Sequence, residues 1–84
     1  MLEREETTIL ARMPRVSGKD VLRALERDGW YVHRSEGSHH QLRHPARFGK
    51  VTVPYHGNET LDIRVLNNIL KQANMTKEEL IALL

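Results

Sequence analysis

The stretch Gly29–His44, "GWYVHRSEGSHHQLRH", decides the fold. Its apolar residues alternate along the chain, whereas those of the preceding segment recur at helical spacing. Alternation from Trp30 onward predicts a first strand in which Trp30, Val32 and Arg34 share one side. "HHQLRH" predicts a second strand, and Gly37 supplies the turn that brings it back antiparallel to the first. This part of the chain therefore predicts a β-hairpin.

A third strand and a first helix flank the hairpin. "KVTVP" at residues 50–54 predicts the strand, after a loop over residues 45–49. Ser17 has the properties of a helix N-cap and Asp20 stands at the third position after it. The first helix is therefore predicted from about Ser17 to Asp28, where glycine follows.

The C-terminal third covers the sheet. An apolar stripe at helical spacing predicts a second helix from about residue 62 to 73, which Asn74 can end. Thr76 and Glu79 form a capping-box pattern, which opens a short extra helix. The order α-β-β-β-α with that extra helix predicts an α+β, two-layer domain, with a three-stranded antiparallel sheet and both main helices on one face.

Composition limits the class of protein. The 84 residues, 39% of them apolar and 29% charged, support one modest globular core. We expect residues 1–12 to be an extension, frayed or briefly helical, before a single domain over residues 13–84. The N-terminus lacks a signal peptide's pattern and no run approaches the roughly 20 apolar residues of a membrane span, so a cytoplasmic protein is expected. The absence of cysteine excludes disulfides, thiol catalysis and thiolate zinc sites.

Positive charge is concentrated in the middle of the chain, although the formal net charge is only +2. Between positions 33 and 50 the chain has one acidic residue, Glu36, against four basic ones: Arg34, Arg43, Arg47 and Lys50. Four of the five histidines lie in the same segment. This clustering predicts a phosphate-bearing partner.

Strand parity sorts the histidines of the second strand. Leu42 is the only strong apolar residue of that strand and is expected to point into the core. His40 and His44 then share its side, whereas His39 and Arg43 face outward. His40 is therefore interpreted as a structural histidine at the edge of the core and His39 as the exposed one, unless a bulge exchanges the two.

Several short segments, taken in order, resemble one family. They are Gly29-Trp30, the Gly-Ser-His-His turn and strand at 37–40, Val-Thr-Val-Pro at 51–54 with His56 after it, and Ile-Leu-Lys-Gln-Ala at 69–73. In this order and spacing they resemble the HicA, or YcfA-like, toxin family over residues 16–80. The resemblance implies an mRNA interferase of a toxin–antitoxin module, with a double-stranded-RNA-binding-domain-like fold, an mRNA substrate and a HicB-type antitoxin partner.

The resemblance also implies site residues. The family's catalytic histidine falls on His39, with His40 as the alternate, and its required glycine falls on Gly37. No cofactor or metal is implied, and the only oligomer expected is the toxin–antitoxin complex. One departure is "RVL" at residues 64–66, where family members often have Gly-Thr-Leu, so contacts of the second helix's start with RNA or antitoxin are in doubt.

The residues themselves supply compatible chemistry. RNA carries its own nucleophile, the 2′-hydroxyl, so proton transfer by a histidine can cleave it without a metal. The four basic side chains at positions 34, 43, 47 and 50 are candidates to bind the phosphate and the charge that develops on it. The alternation of side chains along the strands does not identify a second acid–base group. His56 is a candidate, as are Tyr55, His44 and His33.

Other interpretations remain open at this point. A non-catalytic RNA-binding module could use the same fold for shape-specific recognition. A metal site could use His39, His40 and His44, although adjacent strand residues point to opposite faces and no cysteine or nearby aspartate completes a ligand set. Tyr31 and Phe48 could stack RNA bases on the open face or be ordinary surface or core aromatics.

Overall fold

Helix α1 spans Gly18–Arg27 in the computed structural model, which describes residues 12–84. Its N-terminus has the predicted capping arrangement. Ser17 Oγ accepts a hydrogen bond from the backbone N–H of Asp20 (3.1 Å), and Asp20 Oδ2 accepts one from the backbone N–H of Ser17 (3.0 Å). The backbone bond from Ser17, aided by its side chain, holds the pKa of Asp20 below the ordinary value. Asp28 caps the C-terminal end, as predicted.

Three antiparallel strands follow and lie side by side in chain order: β1 Tyr31–Glu36, β2 His39–His44 and β3 Arg47–Pro54. Gly37 and Ser38 form the two-residue β1–β2 turn, and the φ of +56° at Gly37 is what the first central position of a type II′ turn requires. β3 begins earlier than predicted, so the loop expected over residues 45–49 is only a turn at Pro45 and Ala46.

A β-bulge at His33 divides β1. Val32 pairs with Leu42 whereas Arg34 pairs with Gln41, so His33 is an extra residue with no partner in the ladder. The prediction that Arg34 shares a side with Val32 is therefore wrong. A single extra residue reverses the alternation, and Arg34 lies on the opposite face of the sheet.

Helices α2, Ile63–Ala73, and α3, Lys77–Leu83, complete the domain. Asp62 caps the start of α2, and Asn74 ends it in the left-handed conformation with a φ of 54°. Thr76 and the carboxylate three residues later form the predicted capping box of α3. The helix bounds inferred from sequence are thus confirmed to within a residue.

One face of the sheet is covered by the helices. Leu42, Val51 and Val53 on this face are fully buried, in one core with the inner residues of all three helices and with Trp30. α1 and α2 both pack against β3, and α1 also contacts α3. The two-layer α+β architecture with helices on one face is confirmed.

The exposed edge of the sheet at β3 is partly covered. The backbone N–H of Thr52 donates to Gln72 Oε1 of α2 at 2.8 Å, so a side chain replaces the missing neighbouring strand. A single antiparallel bridge between Ser17 and Thr60 ties the approach to α2 against the start of α1. The first connection joins β3 to α2, and the second joins the segment before α2 to the start of α1.

The extension predicted over residues 1–12 lies outside the described residues, apart from Arg12, and the boundary at residue 13 stays a prediction. Met13 packs against the core from that end. Between residues 12 and 84 no helix is both long enough and apolar enough to cross a bilayer.

We expect Gly18→Ala to destabilise the domain. A Cβ at Gly18 would overlap the carbonyl oxygen of Pro54 and lie 3.3 Å from the Cα of Tyr55, so α1 would have to move away from the end of β3. Overpacking of this kind lowers the free energy of unfolding by about 1–3 kcal/mol. The better helix propensity of alanine offsets less than this. Urea denaturation measures the change. Glu26→Ala, on the exposed side of the same helix, is the control, and its free energy of unfolding should stay within about 0.5 kcal/mol of the parent. Equal stability of the two variants would contradict the expectation.

Candidate functional site

The face of the sheet away from the helices, which we call the open face, carries side chains in three cross-strand rows. The row beside the β1–β2 turn contains Glu36, His39 and Pro54. The middle row contains Arg34, Gln41 and Thr52, and the far row contains Tyr31, Arg43 and, on β3, residues 48–50. The open face therefore collects most of the polar candidates of the hairpin on one surface.

His39 is exposed at one end of this face, and its ring nitrogens are free. It lies between Glu36 on β1 and Pro54 on β3, opposite in direction to the buried Leu42. Within residues 12–84 its imidazole makes no hydrogen bond and no ion pair. Both nitrogens can therefore reach a bound molecule.

His40 occupies the covered side, as parity predicts. It pairs with Val53, is half-buried, and places Nδ1 2.7 Å from Ser35 Oγ. Its ring packs edge-on against Tyr55, with centroids 4.9 Å apart. Because β2 has no bulge between residues 39 and 42, His39 and His40 are not exchanged, and one nitrogen of His40 is already engaged.

His44 joins the sheet to the end of α1. Its Nδ1 accepts from the backbone N–H of Ala46 at 3.0 Å, so the proton is on Nε2, which donates to the carbonyl oxygen of Asp28 at 2.8 Å. The ring packs edge-on against Trp30 at 5.2 Å. A Cβ at Gly29 would lie 2.7 Å from Nε2, so the glycine leaves room for the imidazole. Both nitrogens are used, which assigns His44 a structural role.

The remaining predicted residues lie around the end of the sheet. Gly37 opens the turn directly before His39, and the carbonyl oxygen of Ser38 accepts a hydrogen bond from the backbone N–H of Tyr55 at 2.6 Å. His56 follows in an exposed loop at the same end of the sheet as His39. His33 is exposed at the bulge, farther along β1.

The basic candidates divide between the two faces. Arg34, Arg43 and Lys50 are exposed on the open face. Arg47 instead places Nη1 2.9 Å from Asp28 Oδ2, at the C-terminal end of α1 on the covered side. The structure thus brings three of the four predicted phosphate-binding side chains to the face of His39 and separates the fourth.

Glu36 is a candidate that sequence reasoning missed. Simple alternation from Trp30 would put it on the covered side, but the bulge at His33 brings it to the open face, where it pairs with His39. Its Oε1 lies 3.7 Å from Arg34 Nε. The signal was present in the sequence, because the two residues that flank a two-residue hairpin turn face each other and share a side.

A histidine metal site gains no support from these positions. His39 and His40 point to opposite faces, and both nitrogens of His44 are engaged within the protein. In the part of the chain that the structure describes, no three side chains of the His, Asp or Glu type are grouped so that they could hold one metal ion.

A family model described as "HicA toxin of bacterial toxin-antitoxin" matches residues 18–75, more than half of the chain, from the first residue of α1 to just beyond α2. The chain belongs to the HicA toxin family. Membership makes this HicA-family chain a toxin of the toxin–antitoxin class and implies an antitoxin partner. The search of individual curated proteins gives no match.

In this HicA-family domain, we expect His44→Ala to destabilise the fold and His39→Ala to leave it unchanged. The first substitution removes the contact with Trp30 and leaves the Asp28 carbonyl and the Ala46 N–H without their partner, at about 1–3 kcal/mol. The second removes an exposed side chain and should change the free energy of unfolding by less than about 0.5 kcal/mol. Denaturation followed by fluorescence of the single tryptophan measures both. Equal losses would contradict the division into a structural and an available histidine.

Proposed function

We propose that this HicA-family toxin is an endoribonuclease that cleaves mRNA without a metal, with His39 as its proton-transfer residue. The observation that carries the proposal is the exposed His39 ring, whose nitrogens have no partner among residues 12–84, at the position to which the family resemblance assigns the catalytic histidine. His40 is the alternate, but its Nδ1 already binds Ser35. Gly37 supports His39 by allowing the tight turn that precedes it.

Cleavage by this route needs only proton transfers and stabilisation of charge. The 2′-hydroxyl gives up its proton and attacks the adjacent phosphorus, and the 5′-oxygen of the next nucleotide leaves and receives a proton. The products are a 2′,3′-cyclic phosphate and a 5′-hydroxyl. An imidazole is partly protonated near neutral pH and can accept the first proton or donate the second.

Arg34, Arg43 and Lys50 share the open face with His39 and are the proposed phosphate ligands, Arg34 at the scissile phosphate and the other two at phosphates farther along the RNA. The ion pair of Arg34 with Glu36 is exposed, and pairs of this kind contribute little, so a phosphate oxygen can replace the carboxylate. Arg47, a candidate for the same role from sequence, is held at the Asp28 carboxylate on the covered side and is not one of the proposed ligands.

Glu36 is the proposed second proton-transfer residue. Paired residues on neighbouring strands have Cβ atoms about 5 Å apart, so its carboxylate and the His39 ring can bracket one phosphodiester. The carboxylate would take the proton of the 2′-hydroxyl while the protonated imidazole donates to the leaving 5′-oxygen. His56, the candidate from sequence, lies at the same end of the sheet but has no strand pairing that sets its distance from His39.

A HicB-type antitoxin is the proposed partner that keeps the toxin inactive. An exposed basic face that cleaves RNA must be covered when the toxin is silent, and an acidic or site-blocking surface is complementary to it. We place the activity in the cytoplasm, where the mRNA substrate is, and expect the toxin–antitoxin complex to be the main oligomer.

We expect the purified chain to cleave long single-stranded RNA in the presence of EDTA. His39→Ala should lower the cleavage rate by about 10²- to 10⁴-fold, because this is the usual contribution of a positioned proton-transfer group. Gel analysis of cleavage and of cyclic-phosphate ends measures it, with His40→Ala as the matched control. Loss in His40→Ala alone would move the site to His40. Activity abolished by EDTA would contradict the metal-free mechanism, and RNA binding without cleavage by any variant would favour a non-catalytic RNA-binding module.

We expect Glu36→Gln to slow single-turnover cleavage by about 10²-fold or more without weakening RNA binding, because it removes a proton acceptor and also releases Arg34 from its ion pair. Glu26→Gln, on the exposed side of α1, is the charge-matched control. An unchanged cleavage rate in Glu36→Gln, with a large loss in His56→Ala, would assign the second role to His56.

A further inference from the structure

We infer that the far row of the open face binds unpaired bases of single-stranded RNA, an inference that rests on the proposed function in taking RNA as the substrate. We call this set the aromatic row: Tyr31, Arg43, Phe48 and Lys50. Tyr31 on β1 pairs with Arg43 on β2, and residues 48–50 of β3 lie on the other side of Arg43. The strands on either side of Arg43 thus each carry one aromatic residue of this row.

The protrusion of Phe48 is a defined feature of β3. Two extra residues are inserted opposite Arg43, Gly49 has a φ of +82°, and Arg43 Nη1 donates to the Gly49 carbonyl oxygen at 3.3 Å. Because two extra residues preserve the alternation of the strand, Arg47 on the covered side and the buried Val51 share a face. Phe48, next to Arg47, therefore points to the open side. The side chain of Phe48 is fully exposed there.

The aromatic row has the chemistry of a stacking surface. Tyr31 is 49% exposed on the same face as the fully exposed Phe48, and neither ring is covered by a helix. Stacking of a base on such a ring contributes about 1–3 kcal/mol to the binding free energy, and any of the four bases can stack. Neighbouring Arg and Lys side chains bind the phosphates. Arg43 and Lys50 are placed for that second role.

Unpaired RNA fits this surface better than a duplex. In a duplex the base faces are stacked on one another, and proteins bind its phosphates and 2′-hydroxyls, for which exposed aromatic rings have no use. The open face carries three basic side chains against the single carboxylate of Glu36, which suits a polyanion.

The aromatic row is separated from the proposed chemistry. Arg43 lies four positions along β2 from His39, a distance of about 13 Å at the rise of a β-strand. Bases held by Tyr31 and Phe48 would therefore lie away from the scissile phosphate. Loss of either ring should therefore show directly as weaker RNA binding.

The experiment measures binding of a short single-stranded 2′-O-methyl RNA, which cannot be cleaved, to the full chain by fluorescence anisotropy. We expect Tyr31→Ala and Phe48→Ala each to raise Kd by about 5- to 100-fold, the equivalent of about 1–3 kcal/mol. Tyr31→Phe and Phe48→Tyr, which keep the rings, should restore binding. Ile63→Ala, at an exposed apolar position on α2, should leave Kd unchanged, and the base-paired form of the same RNA should compete poorly.

Because the probe cannot be cleaved, the result does not depend on whether His39 is catalytic. Alanine variants that are folded and bind within twofold of the parent would overturn the inference. It would also be overturned if a duplex bound as tightly with the same dependence on Tyr31 and Phe48. Retained RNA affinity with lost antitoxin binding would assign the aromatic row to the protein partner instead.

Discussion

The burial of Leu42 beneath the helices is the constraint on which the rest of the structure depends. Leu42 lies on the central strand, pairs with the equally buried Val51, and is fully excluded from solvent. Since neighbouring residues of a strand point to opposite faces, this burial directs His39 and Arg43 outward and His40 inward. A register shift of one residue would bury charged side chains and expose the core, so the position of the candidate site is tied to the stability of the fold.

The histidines illustrate how one residue type takes different roles in a small domain. His44 uses both nitrogens to hold the end of α1 to the β2–β3 turn, and His40 uses one to bind Ser35 beside Tyr55. His39 uses neither within the described residues. A histidine with satisfied nitrogens stabilises the fold, whereas one with free nitrogens on an open face is available to a substrate.

Two β-bulges shape the open face. Their effects differ because one inserts a single extra residue into its strand and the other inserts two. The single extra residue at His33 reverses the alternation and brings Arg34 and Glu36 beside His39. The two extra residues in β3 keep the alternation and push Phe48 outward. One bulge therefore assembles the polar end of the face and the other exposes its aromatic end.

Local chemistry alone determined much of this protein. The caps at Ser17, Asp62 and Thr76 are short-range hydrogen bonds between residues two or three apart, and the core positions follow from periodicity, so the helices, the hairpin and the orientation of His39 were all predictable. Membership of the HicA family was likewise carried by short motifs in order. Only the tertiary structure decided the position of the bulge in β1, the engagement of Arg47 by Asp28, and the use of both nitrogens of His44. Those outcomes depend on where extra residues are accommodated in the strand ladders and on contacts between distant segments, and neither leaves a periodic signal along the chain.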